Sequence, residues 1–276
     1  MSRVFPCAMK PPRWRPSPVI ASSIGLHGLV GASMLAGPEA WPWALGAIAA
    51  NHALLAAAGL WPRSTWLGPN LTRLPEPARR RREIAITIDD GPDPEVTIPT
   101  LDLLDRHAIK ATFFCIAHRA RAYPDLCREI AHRGHAVENH SHRHPVTFSL
   151  LGAGGQRQEI LAAQEVLAEL AGSAPRFFRP PAGLRNPLLD PVLHDLGLRL
   201  ATWTRRGFDT RTRDPARVAA RVARGLAAGD ILLLHDGNAA RTRAGRPVIL
   251  EALPRLLDAA EALGLKAVTL RHAIAS

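Results

Sequence analysis

From residue 83 to its end, the sequence alternates short β-rich runs with amphipathic stretches of helical length. This alternation constrains the fold more than any other feature. The seven predicted strands are 84–88, 111–116, 135–138, 176–178, 198–204, 230–234 and 267–270. The six predicted helices lie near 97–107, 121–133, 156–171, 187–196, 214–228 and 247–263. Such alternation predicts an α/β fold with a parallel sheet, closed as a barrel or doubly wound, whose chemistry collects at the carboxyl ends of the strands.

Polar side chains stand where several of these strands end. The first strand ends at Asp89 and Asp90, a pair that by itself is ordinary turn chemistry. The third is followed by His140 and His144, whose spacing predicts two imidazoles on one face of a helical turn. His235 closes the sixth strand. Because the ends of parallel strands share one rim, the recurrence predicts a single active site there.

The residue types at this rim suit metal-assisted hydrolysis. Asp90, His140 and His144 would supply one oxygen and two nitrogens to a cation and leave positions for water and substrate. Asp89 points away from its neighbour along the strand, so we expect it to accept a proton from water. His235 is placed to donate a proton to a leaving group.

The ordered motifs resemble those of the NodB-type polysaccharide deacetylases, carbohydrate esterase family 4, over residues 84–272. The resemblance implies a distorted (β/α)7-type barrel and one divalent metal ion, with zinc expected. Residues 87–92 look like the first motif, which makes Asp89 the catalytic base and Asp90 a metal ligand. Residues 140–144 look like the second, which adds His140 and His144 as ligands and leaves His142 without a role.

The remaining motifs match less evenly. Residues 179–183 are similar to the third motif, in which Arg179 orients the base and the backbone N–H of Ala182 helps to hold the oxyanion, although Ala182 replaces the usual aromatic residue. Residues 203–209 look like the fourth motif and make Asp209 the partner of the acid. In this segment Arg206 stands where an acid is common, and Thr210, directly after the segment, replaces a tryptophan.

The fifth motif looks well preserved. Residues 233–235 resemble it, and the resemblance makes His235 the general acid and Leu233 part of the acetyl-methyl pocket. All the residues that the resemblance assigns to the metal, the base and the acid are therefore present in this chain.

Two apolar stretches, 19–37 and 41–61, precede this region, and each is near the ~20 residues that cross a bilayer. Basic residues lie before and after the pair but not in the connection 38–40, which predicts a hairpin with both ends in the cytoplasm. A single signal anchor with a surface helix, or a cleaved signal peptide, remain alternatives. The expected partner of the hairpin is membrane lipid, at a bacterial-type inner membrane with the cytoplasmic face favoured for the catalytic domain.

These boundaries predict four segments: a basic tail (1–16), a transmembrane hairpin (17–62), a Pro/Arg-rich linker (63–82) and a catalytic domain (83–276). The net charge of +11 does not indicate a nucleic-acid partner. The arginines are dispersed, and only 79–82 form a run, whereas a nucleic-acid binder gathers basic residues into a stripe.

The resemblance implies N-deacetylation of an N-acetylated carbohydrate in a glycan or oligosaccharide, with release of acetate. A cytoplasmic active site would instead favour deacylation or deformylation of a lipid-linked or nucleotide-linked amino sugar. O-deacetylation uses the same chemistry. Two alternatives come from other classes, an inactive membrane-tethered glycan-binding module and a basic membrane-surface adaptor.

Overall fold

A parallel sheet forms the centre of the protein in the computed structural model, which describes residues 13–37, 39 and 41–275. The strands are β1 Glu83–Asp89, β2 Thr112–Cys115, β3 Ala136–Asn139, β4 Phe177–Phe178, β5 Arg199–Leu200, β6 Arg205–Arg206, β7 Ile231–His235 and β8 Lys266–Val268. Their order is β5-β4-β3-β2-β1-β7-β6, and β8 pairs with the first half of β1. This incomplete parallel barrel confirms the predicted fold class.

Eleven helices accompany the sheet within the described residues. They are α1 Pro18–Ala36, α2 Trp41–Leu60, α3 Glu76–Arg80, α4 Thr97–Arg106, α5 Ala117–Ala122, α6 Pro124–His132, α7 Ala153–Ala171, α8 Leu189–Asp195, α9 Pro215–Ala223, α10 Ile249–Ala262 and α11 Leu270–Ala275. Short 3-10 turns at Phe148–Leu150 and Pro181–Gly183 lie in two of the connecting loops. The main hydrophobic core packs α4, α9 and α10 against the central strands.

Strand β1 lies in the middle of the sheet, where its side chains are buried on both faces. All seven of its residues are buried, as expected of a central parallel strand with an almost continuous apolar run. It pairs with β2 on one side and with β7 on the other, and Asp89 is directly opposite His235 in the register with β7. The two polar strand ends are therefore neighbours.

The predicted strand 198–204 is divided. Residues 199–200 form β5 beside β4, and residues 205–206 form β6 beside β7. Between them the chain pairs with an earlier segment, since the amide of Leu71 donates to the carbonyl of Leu200 (2.9 Å) and the amide of Thr202 donates to the carbonyl of Leu71 (3.0 Å). That segment completes the sheet where a longer strand was predicted.

The segment 63–82, predicted as a linker, is packed against the sheet in the structure. Leu74 and Ala78 are at most 2% exposed and share a core cluster with Ala85 of β1, whereas Leu67 packs with α1 and α2. Helix α3 lies within the segment. Sequence alone could not indicate this, because the prolines and arginines that suggest a linker are also compatible with a short helix whose few apolar residues fill gaps in the core. Residues of this segment therefore contribute to two packed clusters, one on the sheet and one on the apolar helices.

Helices α1 and α2 are each long and apolar enough to cross a membrane by length and composition, with mean hydropathies of 1.6 and 1.4. Only 11% and 17% of their apolar windows are buried, so most of their apolar surface is unprotected by protein. The helices contact one another, and the amide of Asn51 donates to the hydroxyl of Ser23 (2.9 Å). Most of the predicted basic tail, residues 1–12, lies outside the described residues, as do Pro38 and Ala40 of the connection.

Candidate active site at the strand rim

Three potential metal ligands meet just beyond the ends of β1 and β3. Asp90 Oδ1 lies 3.2 Å from His140 Nε2 and 3.4 Å from His144 Nε2. All three ligating atoms lie within 4.8 Å of one another. Ligand atoms bound at about 2.0–2.1 Å to a tetrahedral cation are themselves roughly 3.3 Å apart. The spacing and the donor set of these residues therefore fit a divalent cation.

The two histidines come from a loop, so the prediction that they share a helical turn is wrong. Ser141 and His144 have left-handed backbone angles (φ 65° and 56°), which turn the loop back on itself. Side chains hold this shape: Asn139 Oδ1 accepts from the amide of Ser141 (2.9 Å), and Ser141 Oγ accepts from the amide of His144 (3.0 Å). The convergence of the imidazoles depends on these local hydrogen bonds.

A hydrogen bond orients the first imidazole. His140 Nδ1 lies 2.7 Å from the backbone carbonyl oxygen of Arg179. A carbonyl only accepts, so Nδ1 carries the proton and Nε2 presents its lone pair to the cation position, as is usual for a metal-binding histidine.

The charges around the metal-ligand triad, Asp90, His140 and His144, favour the protonation states that bind a cation. Burial opposes ionisation of Asp90, but when their imidazoles are protonated the hydrogen bond and charge of His140, with the charges of His235 and His144, hold its pKa below the usual range. Burial, with the neighbouring His140, lowers the pKa of His144 to about 4. At neutral pH the site therefore offers an ionised carboxylate and a neutral imidazole, the forms that bind metal.

Asp89 lies beside the triad and is held by a buried arginine. Arg179 is fully buried, and its Nη1 donates to Asp89 Oδ1 at 2.6 Å and to Thr87 Oγ1 at 2.8 Å. Its Nη2 donates to the carbonyl of Thr202 (2.8 Å), and the guanidinium stacks 4.0 Å from the ring centroid of Phe114. Arg179 binds Oδ1 of Asp89. The other oxygen, Oδ2, lies on the side of the triad, 3.8 Å from His140 Nε2.

His235 stands opposite Asp89 and pairs with Asp209. Its Nδ1 lies 2.8 Å from Asp209 Oδ1, and its backbone amide donates to Asp209 Oδ2 at 2.7 Å. Burial opposes the charged imidazole, but the charge and hydrogen bond of Asp209, with smaller contributions from Asp89 and Asp90, raise the pKa of His235 to about 9. The imidazolium is therefore the main form at neutral pH, with Nδ1 engaged and Nε2 available as a proton donor.

These residues surround one cavity of about 220 Å³. Seven of the nine predicted site residues line it: Asp89, Asp90, His140, His144, Ala182, Leu233 and His235. The other two, Arg179 and Asp209, are fully buried behind it and contact Asp89 and His235. The structure thus brings the whole predicted set together, with Arg179 and Asp209 as supports.

The cavity wall is open beside Ala182. This residue is exposed and has a left-handed backbone (φ 55°), and the next residue, Gly183, has φ 74°. A Cβ on Gly183 would lie 2.5 Å from the Trp203 ring and 2.9 Å from Pro62 Cβ. Glycine is therefore required at 183, whereas the small side chain at 182 leaves space where the resemblance implies an aromatic residue.

Sequence reasoning missed two polar residues that hold Asp90. Asn238 Nδ2 donates to Asp90 Oδ2 at 2.9 Å, and Arg119 Nη1 donates to the Asp90 carbonyl at 3.0 Å. Asn238 follows His235 by three residues, so its place after a strand end was a readable signal. Arg119 lies on α5, and nothing in the sequence near it indicates a role at the rim.

The fourth predicted motif places the guanidinium of Arg206, a positive charge, at the cavity. Arg206 lines the cavity with Thr210, and its guanidinium lies 5.4 Å from the ring centroid of Trp203 and 5.0 Å from that of Phe208. These distances are within the range of cation–π contacts. The aromatic rings therefore hold a positive charge where the family pattern commonly has an acid.

Comparisons with known proteins agree with this geometry. A profile described as polysaccharide deacetylase matches residues 76–201. The chain is 33% identical to a chitooligosaccharide deacetylase of Azorhizobium caulinodans, over 67% of this chain and 91% of that protein. It is 29% identical to a peptidoglycan-N-acetylglucosamine deacetylase of Bacillus cereus, over 77% of this chain and 75% of that protein. The crystal structure of a peptidoglycan N-acetylglucosamine deacetylase superposes with a TM-score of 0.66 at 28% identity, covering 75% of this chain and 93% of the other.

Proposed function

Since the chain belongs to the polysaccharide deacetylase family, carbohydrate esterase family 4, we propose that it is a metal-dependent hydrolase that removes an N-acyl group from an amino sugar. Acetate and a free amine are the products. The observation that carries the proposal is the meeting of Asp90, His140 and His144 within 4.8 Å, beside Asp89 and opposite His235. The deacetylases of peptidoglycan and chitooligosaccharide to which it is similar support an N-acetylated carbohydrate as substrate.

Asp90, His140 and His144 would hold the divalent cation, zinc being the expected one for this donor set. When bound, the cation supplies Lewis-acid polarisation of the acyl carbonyl and increases the acidity of water. The remaining steps fall to residues of the chain itself.

Asp89 accepts a proton from water as the water oxygen attacks the acyl carbon. Arg179 orients this carboxylate through the 2.6 Å hydrogen bond to Oδ1. The backbone N–H of Ala182 donates to the carbonyl oxygen as negative charge develops there. Leu233, in the cavity wall, contacts the acyl methyl group.

His235 completes the reaction as the general acid. The C–N bond breaks, and the amine nitrogen takes the proton from His235 Nε2, since it would otherwise leave as a poor anion. Asp209 holds the imidazolium through Nδ1 and favours its charged form. The carboxylate product and the free amine then leave.

We also assign the chain to a membrane. The two apolar helices, with most of their surface unburied, support an anchor formed by residues 17–62 that contacts lipid directly. The basic residues on both sides of the pair favour a catalytic domain at the cytoplasmic face of a bacterial-type inner membrane.

The proposal is tested by acyl release from the full-length protein reconstituted with zinc. Acetate and formate are measured for N-acetylated oligosaccharides, lipid-linked amino sugars and nucleotide-linked amino sugars. We expect release from at least one class, loss of activity with a chelator and recovery on adding zinc. Metal binding without acyl release from any class would contradict the proposal and favour an inactive glycan-binding module.

A further inference from the structure

An apolar groove of about 640 Å³ lies between the end of α2 and the catalytic domain. On one side it is lined by Leu55 and Leu60 of α2, and on the other by Leu150 and Leu188 from two loops of the domain. Leu60, Leu150 and Leu188 are 64%, 81% and 44% exposed. Leucines exposed together in a groove mark a binding surface for an apolar molecule.

Two polar side chains of the groove form hydrogen bonds within the protein, although Arg185 Nε has no partner among the described residues. The amide nitrogen of Asn186 donates to the carbonyls of Ser149 and Leu151, each at 2.9 Å. Arg185 is 4% exposed, and its Nη2 donates to the carbonyl of Ser64 at 2.6 Å. A bound molecule therefore meets mainly hydrocarbon, which favours a chain without polar groups of its own.

The groove lies at the level where α2 would leave a bilayer. Exposed tryptophans mark both ends of α2, with Trp41 and Trp43 at its start and with Trp61 and Trp66 one and six residues after its end. Its 20 residues rise about 30 Å, the thickness of the hydrocarbon core, and tryptophans concentrate at the two interfaces. The groove is at the second of these belts.

The same two loops connect the groove to the active site. One runs from the metal-ligand candidate His144 to Leu150, and the other from Ala182 to Leu188. Each spans six residues, so the groove is within about 20 Å of the cavity along either loop. At the junction a Cβ on Gly183 would lie 2.9 Å from Pro62, which puts the end of the membrane hairpin against the cavity wall.

From this arrangement we propose that the groove binds the hydrocarbon chain of a lipid-borne amino sugar, whose sugar end reaches the cavity. The inference rests on the proposed function and narrows its substrate class. The chain enters from the bilayer beside α2, so the substrate need not leave the membrane to be deacylated.

The test compares two probes on the full-length, zinc-loaded protein in phospholipid nanodiscs. One probe is an N-acetylglucosamine glycoside with a twelve-carbon alkyl chain, and the other is the methyl glycoside of the same sugar. We expect kcat/KM to be higher for the alkyl probe. Leu150→Ser and Leu188→Ser should each lower it about tenfold for the alkyl probe alone, the effect of losing one buried leucine side chain.

Two control variants separate the groove from other effects. Leu263→Ser changes a leucine of similar exposure (45%) outside the groove, and Val146→Ser changes an 89% exposed residue of the same loop that does not line it. Both should leave the preference for the alkyl probe unchanged. Equal losses of kcat/KM on both probes, or equal effects of Val146→Ser and Leu188→Ser, would overturn the proposal. The surface would then be one that only contacts the bilayer.

A readout without turnover separates failure of this inference from failure of the proposed function. An alkyl probe with a diazirine at its chain end should crosslink to residues 149–150 and 185–188, and an excess of unlabelled alkyl probe should prevent this. Crosslinking there without acyl release would reject the proposed function alone. Labels spread over the exposed faces of α1 and α2, as bulk lipid would give, would reject the groove.

Discussion

Asp89 and Asp90 are adjacent in the chain but have different surroundings. Asp89 ends β1 and is held by Arg179, whereas Asp90 has a left-handed backbone (φ 75°) and faces two imidazoles. The change of backbone conformation between them gives each carboxylate its own partners. This difference supports the proposed roles, in which Asp90 binds a cation and Asp89 accepts a proton.

The proposed roles of Asp89 and Asp90 predict the activity and the metal content of Asp89→Asn. The amide keeps the size of the side chain but cannot accept the proton, so we expect kcat to fall by roughly 10²–10⁴ while zinc is retained. Acetate release and metal content on the same preparation check this. Near-normal kcat would show that Asp89 is not the base.

The environment of His235 predicts a pH dependence. Asp209→Asn removes the largest favourable influence on the imidazolium, so the pKa of His235 should fall from about 9 towards about 6.5. Because His235 acts in its protonated form, the alkaline limb of the kcat–pH profile should move to lower pH. Asp214→Asn, at the N-cap of α9, is the control and should leave the profile unchanged. An unmoved alkaline limb in Asp209→Asn would contradict the role of Asp209.

At the scale of elements, the sequence predicted which side chains meet but not how the chain brings them there. The apolar runs that stop at Asp89 and His235 were sufficient to place both residues at one rim, because the pattern of apolar residues in the sequence indicates where a buried strand ends. The loop carrying His140 and His144 was not predictable, because its left-handed residues are held by hydrogen bonds to the side chains of Asn139 and Ser141, which the four-residue spacing of the histidines does not indicate. Its spacing alone also matches a helical turn.

The contact between α2 and the domain predicts a selective effect of glycine substitution. A Cβ at Gly59 would lie 2.1 Å from the Arg185 carbonyl, whereas one at Gly46 has nothing within 4 Å. Gly59→Ala should therefore lower the free energy of unfolding by about 1–3 kcal/mol, and Gly46→Ala should not. Tryptophan fluorescence during thermal unfolding in nanodiscs measures both. Equal stability of the two variants would show that α2 does not pack against the domain in this way.

At the scale of the whole molecule, the two apolar helices contact the α/β unit. Leu67, from the segment predicted as a linker, packs with Ile20, Leu55 and Ala58 of the two apolar helices. The indole of Trp14 donates to Asp190 Oδ2 at 2.8 Å. Sequence could indicate the two helices and the α/β unit separately, but not their contact, which depends on a few long-range partners. The two apolar helices and the α/β unit are therefore joined by packing and by a hydrogen bond.

The central claim is that Asp90, His140 and His144 hold one cation, and metal content tests it most directly. The full-length protein, His144→Ala and His142→Ala are loaded with zinc, dialysed and analysed for bound metal. His142 is the matched control because it lies in the same loop but outside the ligand set. We expect a single ion per chain in the wild-type protein and in His142→Ala, and almost none in His144→Ala. Full metal content in His144→Ala, or an equal loss in both variants, would contradict it.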